Sequence, residues 1–193
     1  MSIHLPIHTP RLVLRSWLPA DREPFAALNA DARVMRYMPA LLTRAESDAF
    51  ADRIEAHLEE HGYGLFAAEL RTTGGFVGFI GLSVPSFAAS FMPTVEIGWR
   101  LAADCWNRGL ATEGAEAVRD AAMDRLDLDE IVSFTVPENL ASRRVMEKIG
   151  FTHDPADDFE HPRLPSGHPL RRHVLYRLRR SEWLRRFSRN EGR

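Results

Sequence analysis

Val95-Glu96-Ile97-Gly98-Trp99-Arg100-Leu101 runs, four residues on, into Trp106-Asn107-Arg108-Gly109-Leu110-Ala111-Thr112. The first run reads as a strand and the second as a glycine-bearing turn that opens a helix extending through Leu126. The first N–H groups of a helix have no backbone partner and carry partial positive charge. A turn of this kind cradles a phosphate or pyrophosphate without needing lysine. Gly109 allows close backbone approach, Ala111 keeps the next position small, and Arg108 adds charge. The same residues also suit an ordinary strand-to-helix turn, so on spacing alone both readings stand.

Outward from this segment the chain alternates between two periodicities. Thr9 to Trp17 alternates around Leu12, Leu14 and Ser16 and predicts a first strand. Pro19 and the acids after it open a helix carrying Phe25 and Leu28. Thr43 with Glu46 is a capping-box spacing for a helix to about His61, stopped by Gly62. Tyr63–Leu70 and Phe76–Val84 read as two strands joined at Thr72-Thr73-Gly74-Gly75. Beyond the Leu110–Leu126 helix come a strand at Glu130–Val136, a helix at Leu140–Ile149 ending on Gly150, a proline-bearing loop at 154–171, and a strand at His173–Leu178. Ser181 to Phe187 reads as a short amphipathic tail. This order predicts a mixed α/β sheet with a parallel pair around the Leu110 helix.

Composition bounds the function. At 193 residues and 21.9 kDa, the chain is expected to form one domain over 1–193. A net charge of −2 and a pI near 6.4 argue against a dedicated nucleic-acid binder. No apolar run approaches the roughly 20 residues of a membrane span, and Met1-Ser2-Ile3-His4-Leu5-Pro6 lacks a signal-peptide pattern. The single cysteine, Cys105, excludes an internal disulfide. A cytoplasmic location is the expectation.

A second informative stretch is Asn139-Leu-Ala-Ser142-Arg-Arg-Val145-Met-Glu-Lys-Ile149-Gly150-Phe151, in which Asn139 suits a helix cap and Val145 and Ile149 suit burial. With Trp106-Asn-Arg-Gly109-Leu-Ala111-Thr112-Glu113 it resembles the paired cofactor motifs of the GNAT superfamily of acyl-CoA N-acyltransferases, most closely the branch named for ribosomal-protein N-terminal acetyltransferases. Thr9-Pro-Arg-Leu-x-Leu-Arg15 and His173-Val-Leu-Tyr-Arg-Leu178 resemble that branch's opening and closing strands, so the likeness spans about residues 9–180. Two positions depart from the wider superfamily: Trp106 stands where glutamine or arginine is usual, and Met146 where many members place a tyrosine acid.

The resemblance implies a mostly antiparallel sheet with a splayed parallel pair and flanking helices, and acetyl transfer from acetyl-CoA to an amine; that no metal takes part is expected from the histidine spacing. It implies cofactor contacts from Trp99, Arg100, Leu101, Trp106, Asn107, Arg108, Gly109, Leu110, Ala111, Thr112, Asn139 and Ser142, with a backbone N–H near Trp99 or Arg100 polarising the thioester carbonyl. Glu96 is the candidate base, acting directly or through a water, and also suits a purely structural part. Ser142 is the candidate donor to the departing thiolate, by hydrogen bonding rather than full proton transfer. Tyr37, Met38, Phe91, Phe159 and His161 are candidates for the acceptor pocket. The acceptor is expected to be a peptide N-terminus or a small amine, and a homodimer is compatible with the family. The rival reading is a CoA-sensing or interaction protein on the same fold without turnover.

Other features point less far. His161, His168 and His173 lack the spacing of a zinc site and have no cysteine partners. Gly75, Gly78 and Gly81 predict a bulge or close packing within a strand. Cys105 is expected to be a small bystander. The arginine-rich stretch Arg177–Arg193 is expected to be a solvated basic tail.

Overall fold

The computed structural model describes residues 2–188. In chain order the elements are β1 (Ile7–His8), β2 (Leu12–Arg15), α1 (Arg22–Ala30), α2 (Arg44–His61), β3 (Leu65–Leu70), β4 (Phe76–Ser83), β5 (Glu96–Leu101), α3 (Leu110–Arg125), β6 (Glu130–Thr135), α4 (Leu140–Lys148), β7 (Thr152–His153), β8 (Phe159–Glu160), β9 (Arg172–Arg179) and α5 (Arg180–Ser188). The strands lie in the order β1-β2-β3-β4-β5-β6-β9-β7, with β8 also on β9. Every pairing among the described residues is antiparallel except β5 with β6. The fold is the mixed α/β arrangement that the sequence implies.

The caps work as their residue types require. Thr43 Oγ1 accepts from the Glu46 N–H while the Glu46 carboxylate accepts from the Thr43 N–H, and Gly62 ends α2 at φ 71°. Boundaries differ from the sequence reading where local bonds intervene. The strand expected from Thr9 starts at Leu12, after a short β1 that the alternation did not mark, because the Thr9 N–H donates to the Leu12 carbonyl and the Thr9 hydroxyl accepts from the Leu12 N–H. A single 3-10 turn at Pro19–Asp21 precedes α1. The expected loop at 154–171 contains β8, whose Phe159 and Glu160 pair with His173 and Arg172.

The sheet divides the apolar side chains into three clusters. On one face Leu110, Ala115, Val118, Ala122 and Met123 of α3 pack with Leu12, Ile80, Ile97, Leu101 and Ile131. Gly114 brings α3 down onto the strands, since a Cβ there would lie 2.3 Å from Ile80 Cδ1. On the other face α1 and α2 cover β3 and β4 through Phe25, Leu28, Ala51, Ile54, Ala67 and Phe79. Also on that face, Phe91, Val132, Leu175 and the partly buried Phe87, Phe134 and Phe159 form a separate aromatic cluster. β5 runs between these last two clusters.

Within the arginine-rich C-terminal stretch, Arg177 is tied to Glu130 and Asp157, and Arg180 donates to the Leu126 and Leu128 carbonyls. Its start is therefore built into the fold rather than a solvated tail, and residues 189–193 lie outside the described residues. Among the described residues no helix is long and apolar enough to cross a membrane.

Candidate active site

The turn before α3 is shaped by two residues with positive φ, Asn107 at 57° and Gly109 at 76°. Gly109 occupies the N-cap position and has no side chain to turn back on the helix, and no side chain caps α3. The first bond of the helix is Glu113 N–H to the Gly109 carbonyl. Among the described residues nothing accepts from the N–H groups of Leu110, Ala111 and Thr112. Leu110 itself is buried, which anchors the helix start. The turn is braced from outside the site. Arg11 donates to the Arg108 carbonyl at 2.6 Å and pairs with Glu113 at 2.6 Å, and the Thr9 hydroxyl donates to Glu113 at 2.6 Å. Burial pushes the Glu113 carboxyl up, but the bonds from Thr9 and Arg11 outweigh it and leave the carboxyl below its ordinary value. The opening strand thus holds the first turn of α3 from the rear, leaving its amides free. Arg11 and Glu113 stand inside the quoted motifs, yet neither shows this bracing role from sequence.

Beside the turn the sheet splits. β5 and β6 share one rung, Glu96 with Val132, marked by the Val132 N–H on the Val95 carbonyl at 3.0 Å. The next parallel rung, Gly98 opposite Phe134, is not formed. Antiparallel alternation fixes which amides face the split. Ala102 donates to the Val77 carbonyl at the start of the β4–β5 ladder, so Arg100 and Gly98 bond back to β4. The N–H groups of Trp99 and Leu101 point the other way, into the split. The Trp106 indole donates to the Leu101 carbonyl at 2.8 Å at the end of the strand, and the Trp99 N–H lies at mid-strand.

On the other side of the split stands α4. Asn139 caps it, its Oδ1 accepting from the Ser142 N–H at 3.3 Å and its Nδ2 donating to the Thr135 hydroxyl at 3.0 Å. Each group of that amide retains a further hydrogen or lone pair. Ser142 is half-buried in the first turn, and its hydroxyl has no partner among the described residues. Met146 faces the core.

The opposite face of β5 carries Glu96, Gly98 and Arg100, aligned by strand alternation. Glu96 accepts from the Ser83 hydroxyl at 3.4 Å. Burial pushes its carboxyl up to about 8, and the long Ser83 bond offsets little of that. A Cβ on Gly98 would meet nothing within 4 Å, so the lane between Glu96 and Arg100 is open. One wall of this lane is the aromatic cluster, with Phe91 and Phe159 ring centroids 4.9 Å apart and Phe87 stacked on Phe159 at 6.1 Å. His161 lies 4.6 Å from Phe87 and 5.1 Å from His173; burial lowers both imidazoles below their ordinary value. Tyr37, from the segment between α1 and α2, donates to the Glu138 carbonyl at 3.1 Å, and Met38 accepts from Arg100 at 3.3 Å.

Most sequence-predicted residues therefore fall in two groups on either side of β5. Trp99, Leu101, Trp106, Asn107, Arg108, Gly109, Leu110, Ala111, Thr112, Asn139 and Ser142 lie along the split and its turn. Tyr37, Met38, Phe91, Phe159 and His161 lie with Glu96 on the other face. Arg100 is the exception. Its neighbours in sequence suggest the cofactor side, but its N–H bonds to β4 and its guanidinium goes to Asn29 at 2.6 Å. Phe87 and Phe134, which no sequence motif marks, join the aromatic wall, as does His173, whose sequence reading concerned only metal binding and the closing strand; the alternation of β6 and β9 is the signal for Phe134 and His173. Burial raises the Cys105 thiol, which fits an inert packing residue. Among the described residues no group of three or more His, Cys, Asp or Glu is placed to hold a metal. A cavity of about 400 Å³ opens beyond the end of β6, lined by Pro137, Glu138, Arg143, His153, Asp158 and Arg172, and none of the 106–112 residues lines it.

Comparison with known proteins bears on this geometry. The family described as "Acetyltransferase (GNAT) domain" matches residues 11–152. The uncharacterized N-acetyltransferase YnaD of Bacillus subtilis is 28% identical over 178 residues, covering 92% of this chain and 98% of that protein. A GNAT-family acetyltransferase from Bacillus anthracis superposes with TM-score 0.75 at 26% identity, covering 92% of this chain and 99% of the other. Mycobacterium smegmatis RimJ, solved in complex with CoA-disulfide, shares the fold at TM-score 0.71 and 20% identity, covering 92% and 87% of the two chains.

Proposed function

The chain belongs to the GNAT acetyltransferase family and is an acetyl-CoA-dependent acyltransferase, and from that premise we propose that it transfers an acetyl group directly to a primary amine, on a peptide N-terminus or a small molecule. The observation that carries this reading is the continuity of the free α3 amides with the split between β5 and β6. A helix N-terminus suits a pyrophosphate, and a strand edge with unpaired amides suits the amide-bearing pantetheine arm. RimJ of M. smegmatis, on this fold, was solved with a CoA disulfide, which supports the same assignment.

Acetyl-CoA supplies an activated acetyl thioester when bound. The residues of the chain do the rest. The amides of Leu110, Ala111 and Thr112 hold the diphosphate, and Arg108 adds charge. Asn139 offers its remaining hydrogen and lone pair to the pantetheine amides. The Trp99 N–H, aimed into the split, stabilises negative charge growing on a carbonyl oxygen. Glu96 takes the proton that the amine nitrogen sheds as its bond to the acetyl carbon forms, directly or through one water. Its raised pKa suits a base working against an amine of similar basicity. The Ser142 hydroxyl donates to the thiolate released as the carbon–sulfur bond breaks. A free-thiol release assay with acetyl-CoA and a panel of peptides and small amines tests this reading. Turnover that needs an amine supports it, and CoA binding without turnover across the panel overturns it.

A further inference from the structure

Arg100 differs from three arginines that the fold neutralises with carboxylates. Arg15 pairs with Asp21 and Glu69, Arg177 with Glu130 and Asp157, and Arg119 with Asp120. Arg100 meets no carboxylate among the described residues. Its contacts are the Asn29 Oδ1 at 2.6 Å, the Met38 sulfur at 3.3 Å, and the faces of Phe79 and Phe50 at 5.4 and 5.7 Å. A guanidinium has five N–H donors, and here one meets a neutral oxygen and one a weak sulfur acceptor. Taking a cation out of water without an anion is costly, and the two rings offset part of that cost. Burial lowers the guanidinium to about 10, so it remains charged at neutral pH.

This cation is held in place rather than neutralised. Asn29 is fully buried and donates to the equally buried Ser47 hydroxyl at 2.9 Å, which fixes the oxygen that grips Arg100. Gly98 lies between Arg100 and Glu96 on one face of β5, and the space a side chain would take there is empty to 4 Å. Two residues along a strand span about 7 Å, so an amine over Gly98 has the base on one side and the guanidinium on the other. A carboxylate matches the remaining donors of a guanidinium fork in two parallel bonds.

We propose that Arg100 is the anion-recognition residue of the acceptor lane and that the amine acceptor of this enzyme carries a carboxylate. The inference rests on the acetyl-transfer reading above and narrows its substrate class. Charge-assisted hydrogen bonds of this kind are worth about ten- to a hundredfold in specificity.

The test uses the full chain, acetyl-CoA and thiol release with two matched acceptor pairs. One pair is 4-aminobutyrate and its amide. The other is Ser-Asp and Ser-Asn, both with amidated C-termini. The wild type is expected to favour the carboxylate member of at least one pair by about tenfold or more in kcat/KM, chiefly through acceptor KM. Which pair shows the preference separates a small acceptor from an acidic peptide. Arg100→Met is expected to bring that ratio close to one. Arg100→Lys, which keeps the charge and loses the fork, is expected to retain part of it and decides the matter should the methionine variant fail to fold. A ratio near one in the wild type overturns the proposal, as does a variant that lowers both members of a pair equally, which is the mark of a packing role. Absence of thiol release with every acceptor overturns the transfer reading and this inference with it; equal turnover of both members overturns this inference alone.

Discussion

On one side of β5, Trp99 and Leu101 abut α3 and the turn that opens it; on the other, Glu96, Gly98 and Arg100 form a polar lane between two apolar clusters. The first side is built from backbone amides and needs little from side chains. The second is built from side chains drawn from β4, β5, β6, β8, β9, α1, α2, the segment between those helices and the segment 84–95. In the proposed reading the contrast teaches how one strand can serve two ligands: its edge and one face would hold the donor through geometry every residue possesses, while its other face would meet the acceptor through particular side chains. Substitutions on the two sides should therefore fail differently, one in binding acetyl-CoA and the other in kcat or acceptor KM.

The sharpest separation comes from Glu96→Gln. Removing the base is expected to lower kcat by about a hundred- to ten-thousandfold while acetyl-CoA binding persists, as measured by steady-state kinetics and calorimetry. An unchanged kcat would remove Glu96 from the chemistry. The pH dependence gives the same contrast. With the Glu96 carboxyl near 8, wild-type kcat/KM should rise through that range more steeply than the variant, whose profile retains only the ionisation of the amine. Stability should move the opposite way. Between about 4.5 and 8 the folded protein keeps a proton on Glu96 that the unfolded chain has lost, so wild-type stability falls with rising pH in that window. Thermal melts of the wild type and Glu96→Gln should therefore diverge toward pH 8, with the variant gaining.

Gly109→Val addresses the other side. A β-branched residue at φ 76° is strained and obstructs approach to the α3 amides. Weakening of acetyl-CoA binding by about tenfold or more is expected in calorimetry, with acceptor preference retained. Arg11→Ala removes a brace outside the site, and a loss of about two- to fivefold in acetyl-CoA affinity is expected, because Arg11 is half-exposed and Glu113 keeps its bonds from the Thr9 hydroxyl and the residue 11 N–H. Cys105→Ala should leave both binding and kcat within about twofold, and a larger change would bring the thiol into the chemistry.

The strand and the turn into α3 were legible in the sequence because they are contiguous. A strand, a glycine and a helix start within sixteen residues carry their own geometry, and Thr43 with Glu46 announced a helix in the same local way. The acceptor side was legible only in pieces. Phe91, Phe159 and His161 belong to one wall, but Phe134 and His173, which complete it, come from strands whose facing depends on register. The resemblance groups Arg100 with Trp99, whereas a strand sends adjacent residues to opposite faces. What fixed its surroundings, Asn29 and Ser47, lies more than fifty residues away in sequence, and no local pattern marks them.

The most direct test of the central claim is an amide-resolved NMR titration of the isotopically labelled protein with CoA. The account predicts that the N–H signals of Gly109, Leu110, Ala111, Thr112 and Trp99 move together and saturate at one CoA concentration. Shifts concentrated instead around Arg143, His153 and Arg172, with the α3 start unmoved, would contradict it.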